Sequence, residues 1–104
     1  MPNLVYLNSK YISFKDAKIP IEDRGFQFSD SVYEVVKVIN KKILDFDFHM
    51  RRLKFSTTEL KFNFKVNSIL LKKIFENLII KNKLSNGIIY FQITRGVQSR
   101  EHAY

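Results

Sequence analysis

Aromatic and β-branched residues between Leu4 and Phe14 flank the pair Asn8-Ser9, a pattern that predicts two short strands joined by a tight turn. The next run, "KIPIEDRGFQFSDS", loses the alternation. Pro20, Gly25 and several side chains that bond local backbone predict an irregular loop there, with Phe26 and Phe28 anchored in the core. Val32 to Ile39 is β-branched almost throughout and reads as a strand, with Asn40-Lys41 as a turn and Ile43 to Phe46 as the returning strand. Successive side chains of a strand point to opposite faces. Tyr33, Val35 and Lys37 therefore share one side, and Val32, Glu34, Val36 and Val38 the other. A glutamate among valines and a lysine among apolar residues predict that both faces are covered, one of them by something polar.

From Asp47 the period lengthens. Phe46, Met50, Leu53, Thr57 and Leu60 recur at helical spacing with Asp47 as the expected N-cap, and Arg51, Arg52 and Lys54 fall mostly off that stripe. A second helix is predicted from Asn67, a good cap, through Leu70, Ile74 and Leu78, flanked by Leu71 and Phe75, to about Asn82. Ser85 to Gly87 breaks it, Ile88 to Thr94 returns as a strand, and "RGVQSREHAY" follows as a loop. This order predicts an α+β domain of two layers, a mainly antiparallel sheet and two helices.

A length of 104 residues limits the chain to one domain with one core. Ten Phe, five Tyr and a hydrophobic fraction of 45% exclude intrinsic disorder. Without cysteine there is no disulfide, thiolate nucleophile or thiolate metal site, and His49 and His102 are too far apart in sequence to make a metal-ligand spacing. No signal-peptide pattern and no apolar run near the ~20 residues of a membrane span is present, so the expected location is the cytoplasm. The net charge of +8 suggests polyanion binding, but the lysines are dispersed. A solvated lysine surface is favoured over a nucleic-acid module.

Candidate chemistry is sparse. Arg100 and His102 lie two apart, so in an extended segment they point the same way, and a guanidinium fork beside an imidazole suits a carboxylate. A frayed, solvated tail is the bland alternative. Tyr33 could present its phenol to a pocket or simply pack within the sheet, and Arg52 off its helix stripe has the ordinary reading of a solvated arginine. His49 stands out in no way, and Asp23-Arg24 reads as a turn-fixing ion pair. Pattern and composition alone identify no function.

The stretch "EDRGFQFSDSVYEVVKV", from Glu22 to Val38, resembles the "DRG-aromatic-x-F-G-D-G-[VL]-[YF]-E" segment of the fold-type IV pyridoxal-phosphate enzymes. These include branched-chain aminotransferases, D-amino-acid aminotransferases and aminodeoxychorismate lyases. "HMRRL" resembles the family's H-x-x-R-L helix segment, and "IYFQITRG" the strand before its substrate loop. The Arg-x-His pair after "TRG", Arg100 and His102, is similar to the carboxylate trap of the D-amino-acid aminotransferases. "FSDS" departs from F-G-D-G, with Ser29 and Ser31 in place of glycines, which bears on local backbone geometry.

The resemblance implies that residues 1–104 form the N-terminal small domain of the D-amino-acid aminotransferase-like fold. It implies Tyr33, Arg100 and His102 as contacts to the substrate α-carboxylate, the latter two donated across a homodimer interface, and Arg52 as the arginine that binds the phosphate of pyridoxal 5′-phosphate. Lys37 shares the face of Tyr33. Substrates are then D-amino acids and 2-oxo acids, with no nucleic acid, membrane or metal involved. The Schiff-base lysine and most of the phosphate cup belong to a second domain outside this sequence. The chain thus reads as an excised domain or one product of a split or truncated gene, inactive alone and with weak or absent binding of the cofactor by itself. Other members of the family, branched-chain aminotransferase or aminodeoxychorismate lyase, are the near alternatives, and a non-catalytic oligomerising or binding domain the distant one.

Overall fold

A computed structural model describes residues 3–19, 21, 23, 31–62 and 65–94. The expected places of Phe26 and Phe28, the pairing of Arg24 with Asp23, and the terminal Arg100 and His102 lie outside the described residues.

Strands β1 (Leu4–Leu7) and β2 (Lys10–Ser13) form an antiparallel hairpin, in register Leu4 with Ser13 through Leu7 with Lys10. Its turn is the one expected, because Asn8 and Ser9 both take positive φ, 49° and 70°, the geometry that matches strand twist in two-residue hairpins. β3 (Ser31–Ile39) is the central strand of a second sheet, flanked by β4 (Lys42–Ile43) and β5 (Gly87–Thr94), all antiparallel. The return after Asn40-Lys41 is shorter than expected: β4 stops at Ile43, and Phe46 already belongs to the first helix, α1 (Phe46–Glu59). The N-cap of that helix is Asp45, held at φ 55°, and Asp47 lies inside the first turn. The acidic side chain beside the helix start therefore acts from within the turn instead of capping it.

The second helix, α2 (Ser68–Lys81), begins as the sequence suggests: Asn67 Oδ1 accepts a hydrogen bond from Leu70 N–H at 3.1 Å. Its buried stripe is rotated from the expected one, comprising Leu71, Ile74, Phe75 and Ile79, with Leu70 half exposed. Both helices cover the same face of the second sheet. Val32, Val36 and Val38 of β3, Ile89 of β5, Met50 and Leu53 of α1 and the α2 stripe make one core. Phe75 sits at its centre, edge-on to both Phe46 and Phe91 with centroids 6.0 and 5.6 Å away. Asn82, just past α2, ties the hairpin to this layer: its Oδ1 accepts from the N–H groups of Asn3 and Leu4, and its Nδ2 donates to the carbonyls of Leu4 and Leu78.

Each helix ends on a lysine in the left-handed region, Lys61 at φ 55° and Lys83 at φ 51°. Beyond each, paired hydrogen bonds close the last turn: Lys61 N–H to Thr58 O with Phe62 N–H to Thr57 O, and Lys83 N–H to Ile80 O with Leu84 N–H to Ile79 O. Glycine is the usual residue there because a Cβ is strained at positive φ. Lys83→Gly is expected to raise stability by about 0.5–1 kcal/mol, the strain relieved exceeding the added chain entropy. A lowered urea midpoint for that variant would refute the assignment of strain.

Candidate functional site

The strand β3 alternates strictly: Val32, Glu34, Val36 and Val38 are buried, and Tyr33, Val35, Lys37 and Ile39 are exposed. The sequence expectation that both faces are covered is therefore corrected. Among the described residues the Tyr33 face is open, with Tyr33 61% exposed, and the polar cover lies instead over Glu34 on the buried face.

Glu34 is only 3% exposed among aliphatic neighbours. An ionised carboxylate in that setting needs partners for its oxygens. Helix α1 supplies two, one turn apart at positions that share a helix face. His49 Nδ1 stands 2.6 Å from Glu34 Oε1. Because an ionised carboxylate only accepts, Nδ1 is the nitrogen that carries the proton in this contact. Arg52 grips the same carboxylate with a fork, Nε to Oε2 at 2.9 Å and Nη2 to Oε1 at 2.7 Å. The Phe48 ring lies against the guanidinium, 5.1 Å from its centroid to Cζ, so that one edge and one face of Arg52 are both held.

Burial is the largest single influence on Glu34 and opposes its charge, yet the hydrogen bonds and charges of Arg52 and His49 together outweigh it and hold the carboxyl below its ordinary value. Arg52 is in turn pushed upward, first by its hydrogen bond to Glu34, with the nearby Tyr33 phenol a smaller contribution in the same direction. Its side chain is 52% exposed despite the fork. Among the described residues Nη1 has no hydrogen-bond partner. The free edge of a cation that cannot lose its proton is thereby presented outward in a fixed plane, an arrangement suited to a phosphate or carboxylate.

Of the residues singled out in the sequence, Tyr33 stands on the exposed face of β3 and Arg52 is held by Glu34 on the opposite face, linked to Tyr33 only by an electrostatic influence. Arg100 and His102 lie outside the described residues. Lys37 is exposed on the Tyr33 face. Glu34 and His49 were not foreseen as one cluster with Arg52. The available signals were a lone acid in a valine strand and the three-residue spacing of His49 and Arg52. Tyr90 was not singled out at all, yet its ring stacks on Tyr33 with centroids 5.8 Å apart and planes within 14°. Among the described residues no group of three or more His, Cys, Asp or Glu could hold a metal ion. No helix there is long and apolar enough to cross a membrane.

The profile of the family described as Amino-transferase class IV matches residues 31–104. D-alanine aminotransferase of Listeria monocytogenes serotype 1/2a (strain 10403S) is 37% identical over 99 residues, 94% of this chain and 34% of that protein. The chain spans about a third of the length of the curated relatives it matches. Among solved structures, a branched-chain amino acid aminotransferase from Escherichia coli superposes with a TM-score of 0.86 at 22% identity, over 92% of this chain and 34% of that one. A putative 4-amino-4-deoxychorismate lyase from Legionella pneumophila gives 0.76 at 24% identity, over 84% and 32%. These two likenesses concern the fold.

The Glu34 cluster makes stability depend on pH in a defined direction. The carboxyl is lowered from 4.5. Its contribution is therefore complete above that value and is lost as pH falls through the folded-state value. In urea titrations, the stability difference between the native chain and Glu34→Gln is expected to be largest near neutrality and to shrink by more than half between about pH 6 and pH 3. A difference that stays constant across that range would show that Glu34 is not held ionised by Arg52 and His49.

Proposed function

The chain belongs to the class IV aminotransferases, and from that premise we propose that it is the N-terminal, substrate-recognising domain of an enzyme that moves amino groups between D-amino acids and 2-oxo acids. The observation that carries this reading is the Arg52 fork: Glu34, itself held by His49, fixes the guanidinium, while the side chain stays half exposed and Nη1 has no hydrogen-bond partner among the described residues. That geometry fits the phosphate of pyridoxal 5′-phosphate, because it offers a permanent positive charge and directed N–H donors without a further side-chain movement. Bound there, the cofactor supplies an electron-accepting ring that takes up the charge left when the substrate α-proton departs.

The chain's own residues then divide the binding work. Arg52 anchors the phosphate, with Glu34 holding its Nε edge and Phe48 its face. Tyr33, exposed on the neighbouring strand, donates its phenol O–H to the substrate α-carboxylate. Arg100 and His102 complete the carboxylate contact from the second subunit of a homodimer, each as a donor to one carboxylate oxygen. None of these groups removes the α-proton. That task and the covalent hold on the cofactor fall to a lysine of a second domain, so the 104-residue chain alone does not turn over substrate. The D-amino-acid assignment is supported by the 37% identity to a D-alanine aminotransferase and by the Arg100-x-His102 pair. The branched-chain and lyase readings share the fold. Work in the cytoplasm, where D-amino acids and 2-oxo acids are available as free metabolites, is part of the same reading.

The test is amino transfer from D-alanine to 2-oxoglutarate by the protein that joins this chain to its lysine-bearing domain. Turnover with D-alanine and not with L-leucine is expected. Tyr33→Phe, which deletes one hydrogen bond to a charged carboxylate, is expected to raise KM for the amino acid about 10-fold. Exclusive use of L-leucine would transfer the chain to the branched-chain reading, and turnover by the 104-residue chain alone would overturn the domain assignment.

A further inference from the structure

Among the described residues no hydrogen bond fixes the Tyr33 phenol. Tyr33 is 61% exposed on the open face of the second sheet. A tyrosine on such a face can change rotamer, and each change swings the phenol oxygen through several ångströms. A hydrogen bond to a carboxylate tolerates only a few tenths. Something must restrict the ring.

The register shows the possible neighbours. Tyr33 lies opposite Gln92, and Val35 opposite Tyr90, so Tyr90 is the diagonal neighbour of Tyr33 on the same face. Gln92 is committed elsewhere, its Nε2 donating to Ser31 Oγ at 2.9 Å. Tyr90 is not: its ring lies nearly parallel to Tyr33, 5.8 Å between centroids and 14° between planes, while remaining 59% exposed itself. Two exposed rings held flat against each other across an antiparallel pair bury little of the core, so the contact does little for folding and much for the orientation of each ring.

We propose that Tyr90 is the positioning residue for the Tyr33 phenol, fixing through the ring stack the line along which Tyr33 donates to the substrate carboxylate. This rests on the reading of Tyr33 as a carboxylate contact. Tyr90 acts through its ring and not its hydroxyl, which separates the proposal from a direct role in binding.

The experiment compares Tyr33→Phe, Tyr90→Leu and Tyr90→Phe in the protein that joins this chain to its lysine-bearing domain. Three quantities are read: the order of the Tyr33 ring by aromatic carbon-13 relaxation, KM and kcat for D-alanine, and the thermal midpoint. Tyr90→Leu is expected to loosen the Tyr33 ring and raise KM about three- to ten-fold, the range of an aromatic pair contact, with the thermal midpoint nearly unchanged. Tyr90→Phe, which keeps the stack, is expected to restore both ring order and KM. If Tyr33→Phe is impaired while Tyr90→Leu keeps ring order and KM, the positioning role of Tyr90 is overturned and the role of Tyr33 stands. If Tyr33→Phe itself leaves KM unchanged, the carboxylate role fails and the proposal falls with it.

Discussion

A carboxylate buried in an aliphatic layer cannot be left alone. Glu34 points into the same layer as Val32, Val36 and Val38, and its charge is retained only because Arg52 and His49 reach across from α1. One contact therefore performs two tasks. It satisfies Glu34 and draws α1 against β3, and it removes the rotational freedom of Arg52, whose remaining edge faces outward. Loss of Glu34 would leave the helix a route to the sheet through Met50 and Leu53, but the guanidinium would revert to an ordinary mobile surface arginine. The fixed orientation of the Arg52 cation thus depends on an acid that is itself buried.

The two faces of the β4-β3-β5 sheet divide the remaining labour. One is closed by both helices around Phe75. The other carries Tyr33, Val35, Ile39, Ile88 and Tyr90, all at least 40% exposed, an amount of apolar surface that isolated monomers rarely leave in one place. Strand alternation makes this economical: one residue, Glu34, organises the closed side, and its immediate neighbour, Tyr33, lies on the open one.

Much of this architecture was legible in the sequence because its signals are local. Asn8-Ser9 and Asn40-Lys41 marked both turns, and all four positions take positive φ, a geometry that asparagine tolerates and that serine and lysine adopt at some strain. Asn67 marked the start of α2 by its own side chain. Where the sequence misled, tertiary context decided. Asp47 has the right chemistry for a cap, but the chain enters α1 through Asp45. Leu70 fits the helical period, yet the helix is rotated so that Leu71 and Phe75 face the sheet. Glu34 was visible as an anomaly among valines, though not its partners, since His49 and Arg52 are 15 and 18 residues away. The Tyr33–Tyr90 stack was invisible because it depends on the register of strands separated by both helices. For Arg52 only the family resemblance, and no local pattern, suggests a phosphate contact, and Arg100 and His102 lie outside the described residues.

The proposed phosphate-binding role of Arg52 requires that Glu34, braced by His49, hold the guanidinium in place. The most direct measurement is a titration of the protein that joins this chain to its lysine-bearing domain with pyridoxamine 5′-phosphate and, separately, with pyridoxamine, which lacks the phosphate and, like its phosphorylated form, has no aldehyde to react with lysines. The guanidinium proton and nitrogen signals of Arg52 are followed by NMR. A saturable shift of the Arg52 signals is expected with the phosphorylated ligand only, as is its loss in Glu34→Gln. Equal responses to both ligands, or an Arg52 signal that moves with neither, would contradict it.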